Sequence, residues 1–256
     1  MSRRHIQFAC ETEQLLGTLD DAPGTTGLLM VTGGNETRAG AFSGQAQLAA
    51  RIASAGHPVF RFDRRGVGDS SGKNGGFRES GRDIAAGFAA FFQERPDMTR
   101  VVGFGNCDAA SALMLFSGGG CHSLVLANPW TFEEDDGALP PEAIRARYAE
   151  KLRNPRELLR LLGGKVSISK LAGGVLRAMR PAPPPTNLAQ EIASGLEAFD
   201  GPARILLAGR DRTARAFLGV WNADDPRLSI RPDADHAFSD QGSRDWLFAH
   251  LLEALA

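Results

Sequence analysis

Apolar residues fall along this chain in two kinds of run. Short, nearly continuous stretches rich in Val, Ile, Leu and Phe are what strands buried on both faces look like. They occupy residues 26–31 (T-G-L-L-M-V), 58–62, 99–104, 123–127, 204–208 and 228–231. Between them lie longer stretches with apolar positions at helical spacing, at 45–55, 82–92, 109–116, 188–199 and 243–255. An opening hairpin, residues 5–10 and 14–19, adds two more strands. Strand and helix in alternation predict an α/β fold, a mostly parallel sheet of about eight strands flanked by helices. The rhythm breaks after Asn128-Pro129-Trp130, and about seventy residues pass before the next strand. They hold an acidic stretch at 133–136, an Arg- and Leu-rich run at 141–162, a second helical run at 169–179 and the sequence P-A-P-P-P at 181–185. We expect a helical cap over 130–185, with the Pro-rich piece as its stiff return. Residues 1–129 and 186–256 then form the core.

Bulk properties narrow the function classes. A net charge of −1 over 256 residues argues against nucleic acid as the main partner. Basic residues do gather between Arg145 and Arg180, where they read as the solvated face of a helix. Three cysteines, an odd number, do not make a disulfide framework and point to a reducing cytoplasm. No apolar run approaches the roughly 18 residues of a membrane span, and no signal peptide is evident. Gly66-Val67-Gly68 lacks the rest of a dinucleotide fingerprint, and no metal-ligand cluster stands out, so no cofactor is expected.

The chemistry concentrates in V-V-G-F-G-N-C-D-A-A, residues 101–110. A strand run enters a tight turn, and a helical run leaves it. Cys107 stands at the apex, with Gly105 two residues before it and Ala109 two residues after. Such an elbow holds its nucleophile in a strained backbone conformation, so the flanking positions must be nearly free of side chain. The nucleophile also meets a helix N-terminus, where the helix dipole and free N–H groups favour a thiolate and a developing oxyanion. A buried structural cysteine after a strand would give the same short pattern.

Two further residues follow in order. Asp211 ends the penultimate strand in L-L-A-G-R-D, and His236 follows the last strand. In a doubly wound sheet both lie at the carboxyl edge beside the elbow. Nucleophile, acid and base in this order make a triad of Cys107, Asp211 and His236. Asp211 could instead cap the helix that starts near Thr213, and Asp233 or Asp235 could orient His236. Thr32-Gly33-Gly34-Asn35 follows a buried strand and can present backbone N–H groups to an oxyanion. Asp63 and Arg64 could pair to brace the loop after residue 62. His122 reads as a loop histidine outside the chemistry.

Over essentially its whole length the chain resembles the α/β-hydrolase superfamily. F-D-R-R-G-V-G-D-S at 62–70 is similar to that superfamily's D-x-R-G-x-G-x-S loop. G-N-C-D-A-A and L-L-A-G-R-D resemble more narrowly the exosortase A system-associated hydrolases of bacteria, cytosolic proteins linked to exopolysaccharide and protein-sorting loci. The resemblance implies Cys107 as nucleophile, His236 as general base and Asp211 as its orienter. It implies an oxyanion hole from the N–H of Asp108 and of the Gly34–Asn35 region. Cys replaces the usual Ser, as in dienelactone hydrolases. Trp130 and Phe132 would line a partly apolar pocket. The expected activity is hydrolysis of a small-molecule acyl ester or thioester. An acyltransferase in exopolysaccharide biosynthesis and a non-catalytic binding protein on the same fold are the alternatives.

Overall fold

A computed structural model of the chain describes residues 2–132 and 187–256. The expected cap at 130–185 lies outside the described residues except for 130–132, as does position 186 of the expected core.

Among the described residues the strands form one eight-stranded sheet in the order β1-β2-β4-β3-β5-β6-β7-β8. β1 (Ser2–Cys10) and β2 (Glu13–Asp21) make an antiparallel hairpin. β2 runs antiparallel to β4 (Val59–Phe62). From there β3 (Thr26–Val31), β5 (Arg100–Asn106), β6 (Ser123–Ala127), β7 (Ala203–Ala208) and β8 (Leu228–Arg231) are all parallel. The sheet is therefore mostly parallel, as the strand–helix alternation predicts.

The continuous apolar runs have a direct reading. Side chains alternate across a strand, so a run buried on both faces feeds two cores. Leu29 and Val31 of β3 join one core and Leu28 and Met30 the other. The first core is closed by α2 (Gly81–Glu94), α3 (Asp108–Leu115), α4 (Asn187–Glu197) and α5 (Arg212–Val220). The second is closed by α1 (Gly44–Ser54) and α6 (Gln241–Leu255). Ser243, Leu247, Leu251 and Leu255 give α6 one buried stripe at four-residue spacing. No helix among the described residues is long and apolar enough to cross a membrane.

This layering places the site. α1 crosses from β3 to β4 on one face, and α2 crosses from β4 back to β5 on the other. The strand order reverses between β3 and β5, which opens a crevice beyond their carboxyl ends. The Gly33–Gly34 turn ends β3, and Cys107 follows β5.

The largest aromatic cluster lies under the antiparallel edge. The fully buried Phe60 ring sits 5.7 Å from Phe8, 5.6 Å from Phe91 and 6.5 Å from Phe62. Phe60→Ala should cost about 3–5 kcal/mol, by lost transfer energy and an unfilled cavity. Urea denaturation checks this, with a lower midpoint at unchanged slope. A loss under about 1 kcal/mol would mean that the cluster collapses around the gap.

Candidate active site

The turn at Cys107 is the strained one expected. Cys107 adopts φ 64° and ψ −127°, a region that side-chain-bearing residues rarely occupy. Its N–H donates to Ala127 O at 2.9 Å. Its carbonyl accepts from Ala110 N at 3.1 Å, Ser111 N at 3.3 Å and Trp130 N at 3.3 Å. A Cβ on Gly105 would stand 2.6 Å from the Ala109 carbonyl carbon, so position 105 has to be glycine for α3 to start where it does. Cys107 is half-buried, whereas Cys10 and Cys121 are buried. Burial pushes the Cys121 thiol up to about 12. Burial, with a hydrogen bond to Asp83, takes Cys10 to about 11.

Asp211 and His236 meet at the same edge. His236 Nδ1 lies 2.9 Å from Asp211 Oδ2. The same oxygen accepts from Ala214 N at 3.1 Å, capping α5. The capping and orienting readings of Asp211 are therefore compatible, because one carboxylate does both. Burial opposes the charge on Asp211, yet the hydrogen bond from His236 holds its carboxyl below the usual range. Asp235 is turned to Ser239, accepting from its N–H at 2.8 Å and from its hydroxyl. The hydrogen bond to Asp211 first, and the proximity of Cys107 second, lift the His236 imidazole to about 10. The structure thus pairs His236 with Asp211 and brings Cys107 close enough to affect the imidazole.

The expected oxyanion region has a different wiring from the simplest expectation. Gly34 N–H does not stand free. It donates to both carboxylate oxygens of Asp108, at 2.7 and 2.9 Å. The Asn35 side chain accepts from Asn74 Nδ2 at 2.7 Å. Asp108 opens α3, and the first amides of a helix have no partner within it. Asp63 and Arg64 do not pair with each other. Asp63 is fully buried and is held by the N–H and guanidinium of Arg38 and by Asp69 N at 3.2 Å. Arg64 turns toward Gly34 and Asp108. Trp130 packs edge-on to Phe132 at 4.7 Å and donates from its indole to Phe132 O. His122 accepts from Val101 N at 3.1 Å and packs by Phe88 and Phe92, in a structural place.

Two asparagines were missed by sequence reasoning. Asn106 donates to His236 O at 3.0 Å. Asn128, fully buried at φ 44°, donates to Asn106 Oδ1 at 2.9 Å and to His236 O at 3.3 Å, and accepts from Ala208 N at 2.8 Å. They tie the elbow, the β7 end and the His236 loop together. The available signal was weak: each is a polar residue at the end of a buried strand.

A family model described as "Alpha/beta hydrolase family" matches residues 28–249. The chain belongs to the alpha/beta hydrolase family. Solved structures of similar fold agree. The alpha/beta hydrolase GrgF from Penicillium sp. sh18 is 15% identical, with TM-score 0.64 over 100% of this chain and 98% of that one. The Pyrococcus furiosus esterase Pf2001 is 15% identical, with TM-score 0.63 over 98% and 89%. The thioesterase domain from the curacin biosynthetic pathway is 13% identical, with TM-score 0.57 over 99% and 100%. At these identities the likeness is one of fold. No curated protein matches the chain. The eight-stranded order above, with β2 reversed, is this alpha/beta hydrolase's scaffold.

The geometry predicts an unusual histidine. The His236 imidazole should titrate at about 10, against an ordinary 6.5. Its folded value is raised, so the Asp211–His236 pair stabilises the fold fully below the ordinary value. That contribution is lost as pH rises through about 10. Asp211→Asn removes the largest cause and should bring the titration down toward 6.5. Imidazole NMR signals followed against pH check both statements, and a His236 midpoint near 6.5 in the unmodified protein would contradict the first.

Proposed function

We propose that the protein hydrolyses small carboxylic esters or thioesters through an acyl-enzyme on Cys107. The observation that supports this most is the Asp211–His236 hydrogen bond, with the imidazole under the influence of Cys107 at the strained elbow. In this reading Cys107 Sγ, having passed its proton to His236, attacks the carbonyl carbon. Asp108 N–H and an amide of the Gly34–Asn35 turn hold the oxyanion. His236 returns the proton to the departing alkoxide or thiolate, which leaves as alcohol or thiol. Water, deprotonated by His236, then attacks the thioester carbonyl, and the carboxylic acid leaves as Sγ is reprotonated.

A histidine held protonated to about 10 is a good acid and a poor base. Acylation resolves the conflict. Cys107 supplies the second and the last of the causes of the high value, and acylating the sulfur removes both. His236 then releases its proton more readily at the step that needs a base.

Ester and thioester are favoured over amide on chemical grounds. Thiolate attack on a thioester exchanges one carbon–sulfur bond for another and is nearly thermoneutral. An amide nitrogen must be protonated as it leaves, by an acid placed for a peptide. Trp130, whose N–H binds the Cys107 carbonyl, and Phe132 give the acyl side an apolar wall. The narrower link to exosortase-associated hydrolases rests on G-N-C-D-A-A and L-L-A-G-R-D alone.

The test is steady-state kinetics on p-nitrophenyl esters, acyl-CoA thioesters and matched amides. Cys107→Ala should abolish turnover. Cys107→Ser should lower it by at least about a hundredfold, since a hydroxyl is harder to ionise. Undiminished turnover by either variant, or efficient amide cleavage, would overturn the reading. In the wild type, kcat/KM should fall as pH passes about 10 and the imidazolium that protonates the leaving group is lost.

A further inference from the structure

Arg64 is 2% exposed, yet its Nε and Nη1 have no hydrogen-bond partner among the described residues. Its Nη2 donates to Gly34 O at 2.5 Å and stands 3.8 Å from Asp108 Oδ2. A buried guanidinium with two idle N–H groups calls for an explanation, because buried donors are nearly always paired. The charge facing it belongs to Asp108, the residue after Cys107.

The Asp108 carboxylate rests on Gly34 N–H, with both oxygens accepting. It fits there because position 33 is glycine: a Cβ on Gly33 would stand 2.5 Å from Asp108 Oδ1. A negative group therefore occupies an amide that could serve the reacting carbonyl, one residue from the sulfur. An oxyanion and a carboxylate cannot share that N–H, since like charges at contact range repel strongly where water is partly excluded. Arg64 offers the carboxylate another partner. Its fork of N–H groups accepts a carboxylate two-pronged, and it has unused donors a short side-chain turn away.

We propose that Asp108 guards the oxyanion site: its carboxylate holds Gly34 N–H at rest and yields it to the acyl carbonyl oxygen by pairing with Arg64. This rests on the reading of Cys107 as the acyl-accepting nucleophile. Asp108 and Arg64 act here as positioning residues. The arrangement also selects among substrates. A neutral acyl carbonyl can take the place of the carboxylate, whereas an acyl group with a carboxylate next to the reacting carbon meets a like charge.

Alkylation of Cys107 in the whole protein tests this without any ester. Iodoacetate and iodoacetamide transfer similar groups to the sulfur, one anionic and one neutral. Their rate ratio at Cys107, read by peptide mass mapping, cancels changes in the reactivity of the sulfur itself. Asp108→Ala should raise the iodoacetate-to-iodoacetamide ratio at least about tenfold, because Gly34 N–H and Arg64 are then free to hold the reagent's carboxylate. Arg64→Met alone should lower the ratio about tenfold, since the Asp108 charge then stands uncompensated. Adding Asp108→Ala to Arg64→Met should bring it back to the wild-type value or above. A ratio unmoved in folded Asp108→Ala overturns the proposal, as does a double variant that does not recover. Should Asp108→Ala not fold, Asp108→Asn keeps the shape, drops the charge and is judged by the same rise. A shifted ratio in a protein that turns over no ester or thioester sinks the acyl-hydrolase reading and leaves the anion site standing. Ester turnover with an unmoved ratio sinks the guard alone.

Discussion

The backbone at Cys107 is the constraint from which the rest of the site follows. A non-glycine residue at φ 64° and ψ −127° costs on the order of 1–3 kcal/mol and persists only where its surroundings over-determine it. Here they do. The residue's N–H is fixed to the end of β6, and its carbonyl takes donors from the first turn of α3 and from Trp130. Gly105 removes a side chain that would collide with the start of α3. The turn leaves Cys107 half-buried directly after β5, beside the point where the strand order reverses. A relaxed turn would let α3 continue the line of the strand and bury the sulfur, as Cys121 is buried.

A strained elbow is of use only if the histidine stays beside it, and the His236 loop is tied by its backbone. Asn106, adjacent to Cys107, and Asn128, adjacent to the amide partner of Cys107, both donate to His236 O. Asn128 also accepts from Ala208 N, three residues before Asp211. One buried amide group thus touches the segments that carry Cys107, Asp211 and His236. Asp211 adds a second tie by capping α5 with the oxygen that binds His236. Loosening any of these would shift several parts at once, because they share partners.

The fold was legible because burial on both faces writes itself into sequence. The runs at 26–31, 123–127 and 228–231 coincide with β3, β6 and β8. Elsewhere ends moved by one to three residues, as with β1, which begins at Ser2 because pairing to Asp21 extends it past its apolar part. The positions of Cys107, Asp211 and His236 were legible for a topological reason: each lies in the turn or loop after a parallel strand, and parallel strands end at one edge. The loop wiring was not. Asp63 and Arg64 are neighbours in sequence, yet side chains of adjacent residues point apart. Asp63 finds Arg38, and Arg64 finds Asp108, each across a gap in sequence that only the folded sheet closes. The asparagines act on carbonyls more than a hundred residues away, and nothing local marks such a partner.

Two charged pairs stand near Cys107. His236 and Asp211 form one, with the imidazolium nearer the sulfur and the carboxylate behind it. Arg64 and Asp108 form the other, with the order reversed: the carboxylate lies on the loop amide and the buried guanidinium behind it. In the proposed guard, a buried cation stands by a carboxylate that rests on the loop amide. Burial already pushes the Arg64 guanidinium toward losing its charge, with Asp108 the first of the groups that resist this. Asp108 is therefore the first of the groups that help keep the buried Arg64 charged. A neutral side chain at 108 would leave Arg64 buried without its nearest counter-charge, and a neutral one at 64 would leave Asp108 facing the reacting carbonyl alone. Such mutual dependence is what a device needs if it must keep an anion beside the nucleophile and still release the amide beneath it.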